Sequence, residues 1–204
     1  MVAILLFVFV SMLAACSNQQ PNNYQPPISG WTQEWGGNNG AAVPSFVTAA
    51  PNFSFPAAPN GVHYVVEPPP AGIALGKTIT MSFTLTGTGT LMPSDTTDTP
   101  PATVGLYLNQ SGDNFSGHGA SAEERLWCGR ISIPAAGSYT TSCVLDPTKW
   151  TGVYGTNPTA AQFQQLLSNL YAVGFTFGGQ YFAGHGVYVT NGTMSFTLNS
   201  YTIQ

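Results

Sequence analysis

One nine-residue run fixes the class of fold. In "TITMSFTLT" (78–86), Ile79, Met81, Phe83 and Leu85 alternate strictly with Thr and Ser. Successive side chains of a β-strand point to opposite faces, so this run is a strand with one apolar face and one hydroxyl face. The pattern recurs. "TVGLYL" sets Val104, Leu106 and Leu108 on one side, and "YAVGFTF" does the same with Val173, Phe175 and Phe177. "TMSFTLNSYTI" groups Met194, Phe196 and Leu198, then Tyr201 and Ile203, and the parity change calls for a β-bulge near Asn199-Ser200. Further strands are expected near 61–66, 125–133, 139–145 and 185–190. Roughly eight strands with one wet face, and no helices interleaved, imply an all-β antiparallel sandwich of jelly-roll type.

A single segment departs from this period. In "NPTAAQFQQLLSNL", Phe163, Leu166, Leu167 and Leu170 follow helical i, i+3, i+4, i+7 spacing. Asn157 is placed to cap this helix and Pro158 to occupy its first turn. One short helix covering an open end of the sandwich is expected, with its apolar stripe in the core.

Composition narrows the partners. Only 6% of the residues are charged, and the four Lys and Arg with a net charge of −4 offer no basic patch for nucleic acid. The surface is therefore coated with hydroxyls and amides, as suits an extracytoplasmic β-protein. The first residues, "MVAILLFVFVSMLAAC", are apolar over too short a stretch to span a bilayer, which takes about 20 residues. Their end, Leu13-Ala14-Ala15-Cys16, resembles the lipobox of bacterial lipoproteins, although the usual basic residue near the start is missing. That resemblance implies a signal peptide over 1–15, lipidation of Cys16, and export to the cell envelope with a membrane anchor. Ser17 after the cysteine is compatible with the outer membrane. Residues 16–43 then read as a polar tether and 44–204 as the domain. Trp31 and Trp35 are unusual in such a tether. Docking on the domain is the expected role, ahead of membrane contact or ligand binding.

Cys128 and Cys143 flank "GRISIPAAGSYTTS". A two-residue hairpin loop at Ala135-Ala136 would set them directly opposite each other across an antiparallel pair, with Cα atoms about 4.5–5.5 Å apart. That separation suits a disulfide, and an oxidising compartment preserves one.

Candidate chemistry is sparse. Glu67, Asp95, Asp98, Asp113, Glu123, Glu124 and Asp146 fall in or beside loops, with no pair arranged for glycoside hydrolysis. "NQSGDN" offers Asn109, Asp113 and Asn114 as oxygen ligands for a structural calcium, without a recognised loop pattern. No other metal or cofactor motif is present, and no nucleophile elbow, phosphate loop or zinc helix occurs. His63 reads as a packed or edge histidine. Two frames, "FSGHG" (115–119) and "FAGHG" (182–186), place His118 and His185 between glycines, each after a strand. If those strands run the same way, both loops share one end of the sandwich. Turn chemistry is the leading reading of these frames, ahead of ligand contact, with metal or catalysis last.

The segments "P-x-x-W-x-x-V-Y-G" (147–155) and "FGG…GHGV" resemble secreted bacterial β-sandwich domains of the carbohydrate-binding-module type, a likeness covering roughly residues 53–204. It implies a non-catalytic domain that binds polysaccharide, with aromatic rings stacking on sugar CH groups. Trp127, Tyr107, His118, Tyr181 and His185 are the candidate ligand-binding residues. Trp150 is expected to plug the core. "YFAGHGVY" (181–188) also resembles a strand motif of jelly-roll polysaccharide lyases, but their lysine and partner strands are missing, which leaves no base for elimination. The competing expectation is a structural or adhesion lipoprotein with a protein partner.

Overall fold

The computed structural model describes residues 30–33, 50–57, 61–113 and 124–204. The signal-peptide region, Cys16, Trp35, Asn114 and His118 lie outside these. The strands are β1 (Thr32–Gln33), β2 (Asn52–Ser54), β3 (Tyr64–Glu67), β4 (Thr78–Gly87), β5 (Thr90–Pro93), β6 (Thr103–Gln110), β7 (Arg125–Ser132) and β8 (Gly137–Val144). Helix α1 (Ala160–Ser168) follows, then β9 (Leu170–Gly178), β10 (Val187–Thr190) and β11 (Met194–Ile203). They form a sheet ordered β1-β3-β9-β6-β7, a sheet ordered β2-β11-β4-β8, and a two-stranded β5–β10 ribbon. Every pairing between these strands is antiparallel. The chain is an all-β sandwich with one short helix.

The alternation seen in the sequence sets the layers. Ile79, Met81, Phe83 and Leu85 face inward from β4 and are fully buried, against Leu106, Phe175 and Phe177 of the other sheet. Phe196 of β11 ties the layers together. Its ring lies 5.0–5.1 Å from Phe53, Phe83 and Phe175, and 5.8 Å from Phe177. Two of those rings belong to its own sheet and two to β9 of the facing one. Trp150 is fully buried, as expected. Register on β11 shifts between Leu198 and Ser200, which is the bulge that the parity change required.

The outward side of the second sheet is a lattice of small polar groups. In register across the strands, Asn52, Thr197, Thr84 and Ser138 form one row, and Ser200, Ser82 and Thr140 form the next. Cross-strand hydroxyl pairs Ser54–Ser195 and Ser82–Ser200 sit at 2.9 and 2.7 Å. These rows contain no charged side chain.

Two local expectations are corrected. Helix α1 is capped by Thr159, not Asn157. The Thr159 hydroxyl accepts from the Gln162 N–H while the Gln162 side chain accepts from the Thr159 N–H, a reciprocal capping box. Asn157 instead donates its amide to the carbonyls of Thr148 and Trp150. Residues 31–33, within the segment read as a tether, also pair into the sandwich, where Trp31 docks as expected. Thr32 and Gln33 pair with Val66 and Val65, and Trp31 is buried against Phe175 and Tyr201.

A third correction concerns the cysteines. Cys128 and Cys143 are bonded, with Cα atoms 6.1 Å apart, but β7 and β8 are not a hairpin. β7 pairs with β6 in one sheet and β8 with β4 in the other, so the chain crosses between layers at Pro134-Ala135-Ala136. Two-residue hairpin loops require positive φ, which Asn and Gly supply and alanine resists. The disulfide thus joins the edges of opposite sheets, next to a hydrogen bond from the Thr141 hydroxyl to the Gly129 carbonyl. With a sequence separation of 15, the loop-entropy contribution is about 3 kcal/mol. Replacing both cysteines by serine is therefore expected to lower the unfolding free energy by about 3 kcal/mol in guanidinium titrations. A loss well under 1 kcal/mol would mean that side-chain packing alone holds this edge.

Candidate functional site

The β4–β11 ladder does not stop at Gly87 and Met194. It continues, after a break, as the β5–β10 ribbon, with Thr90 opposite Thr190 and Pro93 opposite Val187. The ribbon then reaches the other sheet, because Val62 and Val187 exchange backbone hydrogen bonds at 2.9 and 3.1 Å. This crossing closes one corner of the sandwich and sets the turn 179–186 against the residues after Pro93.

That turn is pinned by an acidic side chain. The Asp98 carboxylate accepts from the backbone N–H groups of Tyr181, Phe182 and Thr99 at 2.7–3.0 Å. Arg130 donates a guanidinium N–H to the Gln180 carbonyl. The Gln180 side chain donates to the Pro101 carbonyl at 2.9 Å. So held, the turn presents Tyr181 and Phe182 outward, 72% and 41% exposed.

His185 stands beside them. Its Nδ1 lies 2.9 Å from Asp95 Oδ2, and its ring stacks on Phe182 at 5.0 Å. An ionised carboxylate only accepts, so the proton of this bond resides on Nδ1. The Nε2 atom is left as the ring nitrogen available to a ligand. Partial burial pushes the Asp95 carboxyl up, but Thr97 and His185 together outweigh it and hold its pKa below the ordinary carboxylate value.

Beneath the turn lies His63, buried, donating Nδ1–H to the Gly184 carbonyl at 2.8 Å. The glycines of the Gly-His-Gly frame have two reasons to be there. Gly184 and Gly186 adopt φ of 79° and 83°. A Cβ on Gly186 would fall 2.5 Å from the His63 ring, and one on Gly184 only 2.0 Å from Tyr64 Oη. Turn chemistry is thus what this frame provides, with His185 carried on its crest.

The condition for the two frames to share one end is not met by the strands before them, while the 115–119 frame itself lies outside the described residues. β6 and β9 are antiparallel neighbours, so the chain leaves them at opposite ends of the sheet. His185 is instead close to His63, whose electrostatics it perturbs.

Tyr107 and Trp127 are directly opposite each other on β6 and β7, facing away from the main core. Tyr107 is fully buried, with its ring 4.7 Å from Tyr64 and its hydroxyl accepting from Asn109 at 2.6 Å, so it offers no surface to a sugar. Trp127 is half-buried beside it. Asp113 pairs with Arg125 at 3.0 Å and accepts from the Asn109 amide, so these two calcium candidates form an internal ion-pair network. Among the described residues no three His, Cys, Asp or Glu converge as a metal site. His63 is the packed histidine that the sequence suggested, whereas the roles of Asp95, Asp98 and Arg130 at this corner were missed. The one available signal was the "SDTTDT" run, whose Asp95–Thr97 turn is a local Asx motif. No family model, curated protein or solved structure matches the chain.

Burial lowers the His63 pKa to about 4; the bond to Gly184 opposes the shift and the charge of His185 adds to it. Unfolded, this histidine titrates near its ordinary value of 6.5. Between those values acid is taken up by the unfolded chain alone. The residue therefore costs nothing above pH 6.5, destabilises progressively as pH falls toward 4, and does not worsen below that. The full cost is about 3 kcal/mol. Thermal midpoints measured across this window should fall for the wild type and fall less for His63→Gln. Parallel curves would exclude His63 as the titrating group.

Proposed function

We propose that this protein is an exported, lipid-anchored cell-envelope component, placed at the outer membrane, whose sandwich binds polysaccharide and catalyses no reaction. The observation that carries the reading is the pinned turn with Tyr181 and Phe182 exposed at its tip. A pyranose ring offers a CH face to an aromatic ring and hydroxyls to neighbouring polar groups. Here the ring faces come with the imidazole of His185 and the guanidinium of Arg130, which is already anchored to the same turn.

Rigidity matters as much as composition. Immobilising a rotamer-rich side chain or a loop on binding costs about 0.5–1.5 kcal/mol for each such side chain. Asp98 has fixed the backbone of this turn before any ligand arrives. His185 acts as a hydrogen-bonding group rather than a proton donor, since the turn offers no facing carboxylate pair in the manner of a glycosidase. The disulfide supports an oxidising compartment, and the lipobox at Cys16 supports the anchor.

Two measurements test this. A panel of bacterial and plant polysaccharides is screened by affinity electrophoresis with the full chain carrying Cys16→Ala. At least one should retard the protein, Tyr181→Ala should weaken that interaction tenfold or more, and Trp127→Ala should leave it nearly unchanged. No retardation by any polysaccharide would sink the reading. In cells, labelled palmitate should enter the wild type and not Cys16→Ala; equal labelling would remove the anchor.

A further inference from the structure

The two sheets meet differently at their two sides. The β7–β8 side is bolted by the disulfide, whereas the opposite side, formed by β1 and β3 against β2 and β11, is held by no covalent link. Trp31 is wedged into that mouth, edge-on to Tyr201 at 5.2 Å and tilted against Phe175 at 5.6 Å. A recess opens beside it, lined by Trp31, Glu67, Leu198, Ser200 and Tyr201 among others. Its origin is the bulge. β2 pairs with β11 over Ser195, Phe196 and Thr197, and past Leu198 the strand shifts register and turns Tyr201 back toward the interior.

Glu67 ends β3 at the rim of this recess, half-buried. Its carboxylate has no salt bridge or hydrogen bond from any described residue. Arg125 is committed to Asp113 and Arg130 to Gln180, and neither lysine reaches Glu67. Burial raises its pKa, with no positive charge to offset the shift, and the Tyr201 hydroxyl is raised in turn by burial and by the same carboxylate. A carboxylate taken half out of water without a partner is the kind of charge that a cation stabilises. The neighbouring wall includes the margins of Trp31 and Tyr201, whose rings are otherwise packed on each other and on the core.

We propose that this recess is a second binding site, distinct from the Tyr181 turn, that takes the free ammonium of an amino-sugar residue. The ammonium meets Glu67, the sugar ring covers the margins of Trp31 and Tyr201 that line the recess, and sugar hydroxyls meet Ser200. An acetylated amine carries no charge and projects a methyl group toward the carboxylate, so the site discriminates against N-acetylated sugars. The inference shares no residue with the polysaccharide site proposed above and stands or falls separately.

The test titrates glucosamine oligomers into the full chain carrying Cys16→Ala, reading Trp fluorescence and, in parallel, calorimetry. Glucosamine oligomers should bind, and N-acetylglucosamine oligomers should bind at least tenfold more weakly. Glu67→Gln should cost tenfold or more, Glu67→Asp should retain part of the affinity, and Tyr181→Ala should have no effect. Affinity should also fall as acid protonates Glu67. Equal binding of the acetylated oligomers, or full affinity in Glu67→Gln, would overturn the site. Nα-acetyl-lysine binding as tightly as the sugar would overturn the amino-sugar assignment. Thermal midpoints of the variants, compared with wild type, separate loss of binding from loss of fold.

Discussion

Phe196 is the contact on which the other features depend. Its ring meets two phenylalanines of its own sheet and two of the facing sheet, so it fixes the distance and the registry between layers at once. Truncating a buried phenylalanine to alanine costs about 3–5 kcal/mol through lost transfer energy and the cavity left behind. That is a large share of the 5–15 kcal/mol by which a domain is stable. Once this cluster is packed, β11 is anchored along its first half. Its second half is then free to bulge at Asn199 and to shape the mouth beside Trp31. The β5–β10 ribbon, which prolongs the same β4–β11 ladder, is likewise positioned to cross the corner and seat the 179–186 turn.

The legible part of this structure was the part governed by local period. The alternation in 78–86 returned β4 nearly residue for residue, and the parity change in 194–203 located the bulge. The burial of Trp150 and the pairing of the two cysteines also emerged from the sequence. What escaped was decided by long-range contact. Ala135-Ala136 looks like a hairpin tip until one asks which strands need β6 and β4 as neighbours, and those partners are distant in sequence. Thr159 outcompeted Asn157 as a cap because Gln162 stands where it can complete the reciprocal bond. Asp98 sits in a turn-forming run, but nothing local shows that its carboxylate holds a turn more than 80 residues away.

The same distinction runs through the functional corner. Tyr181 and His185 were readable as candidates because aromatic and imidazole groups stand out in a chain with so few charges. Tyr107 alternates with Leu106 and Leu108 in 103–108, and it does face away from the core. Outward is not the same as exposed, however: Tyr64, Trp127 and the Arg125–Asp113 pair pack beside it on that face. In a sandwich whose layers carry their own second packing clusters, parity identifies a face, and only tertiary structure says whether water reaches it.

The hydroxyl lattice of the second sheet carries one further consequence. Charged protein surfaces change with their medium, because added salt screens them over about 10 Å at 0.1 M and less above that. Rows of serine, threonine and asparagine have no charge to screen and none to titrate. Their hydration rests on short hydrogen bonds, several already satisfied across the strands. This face of the molecule therefore meets dilute water and brine in the same state.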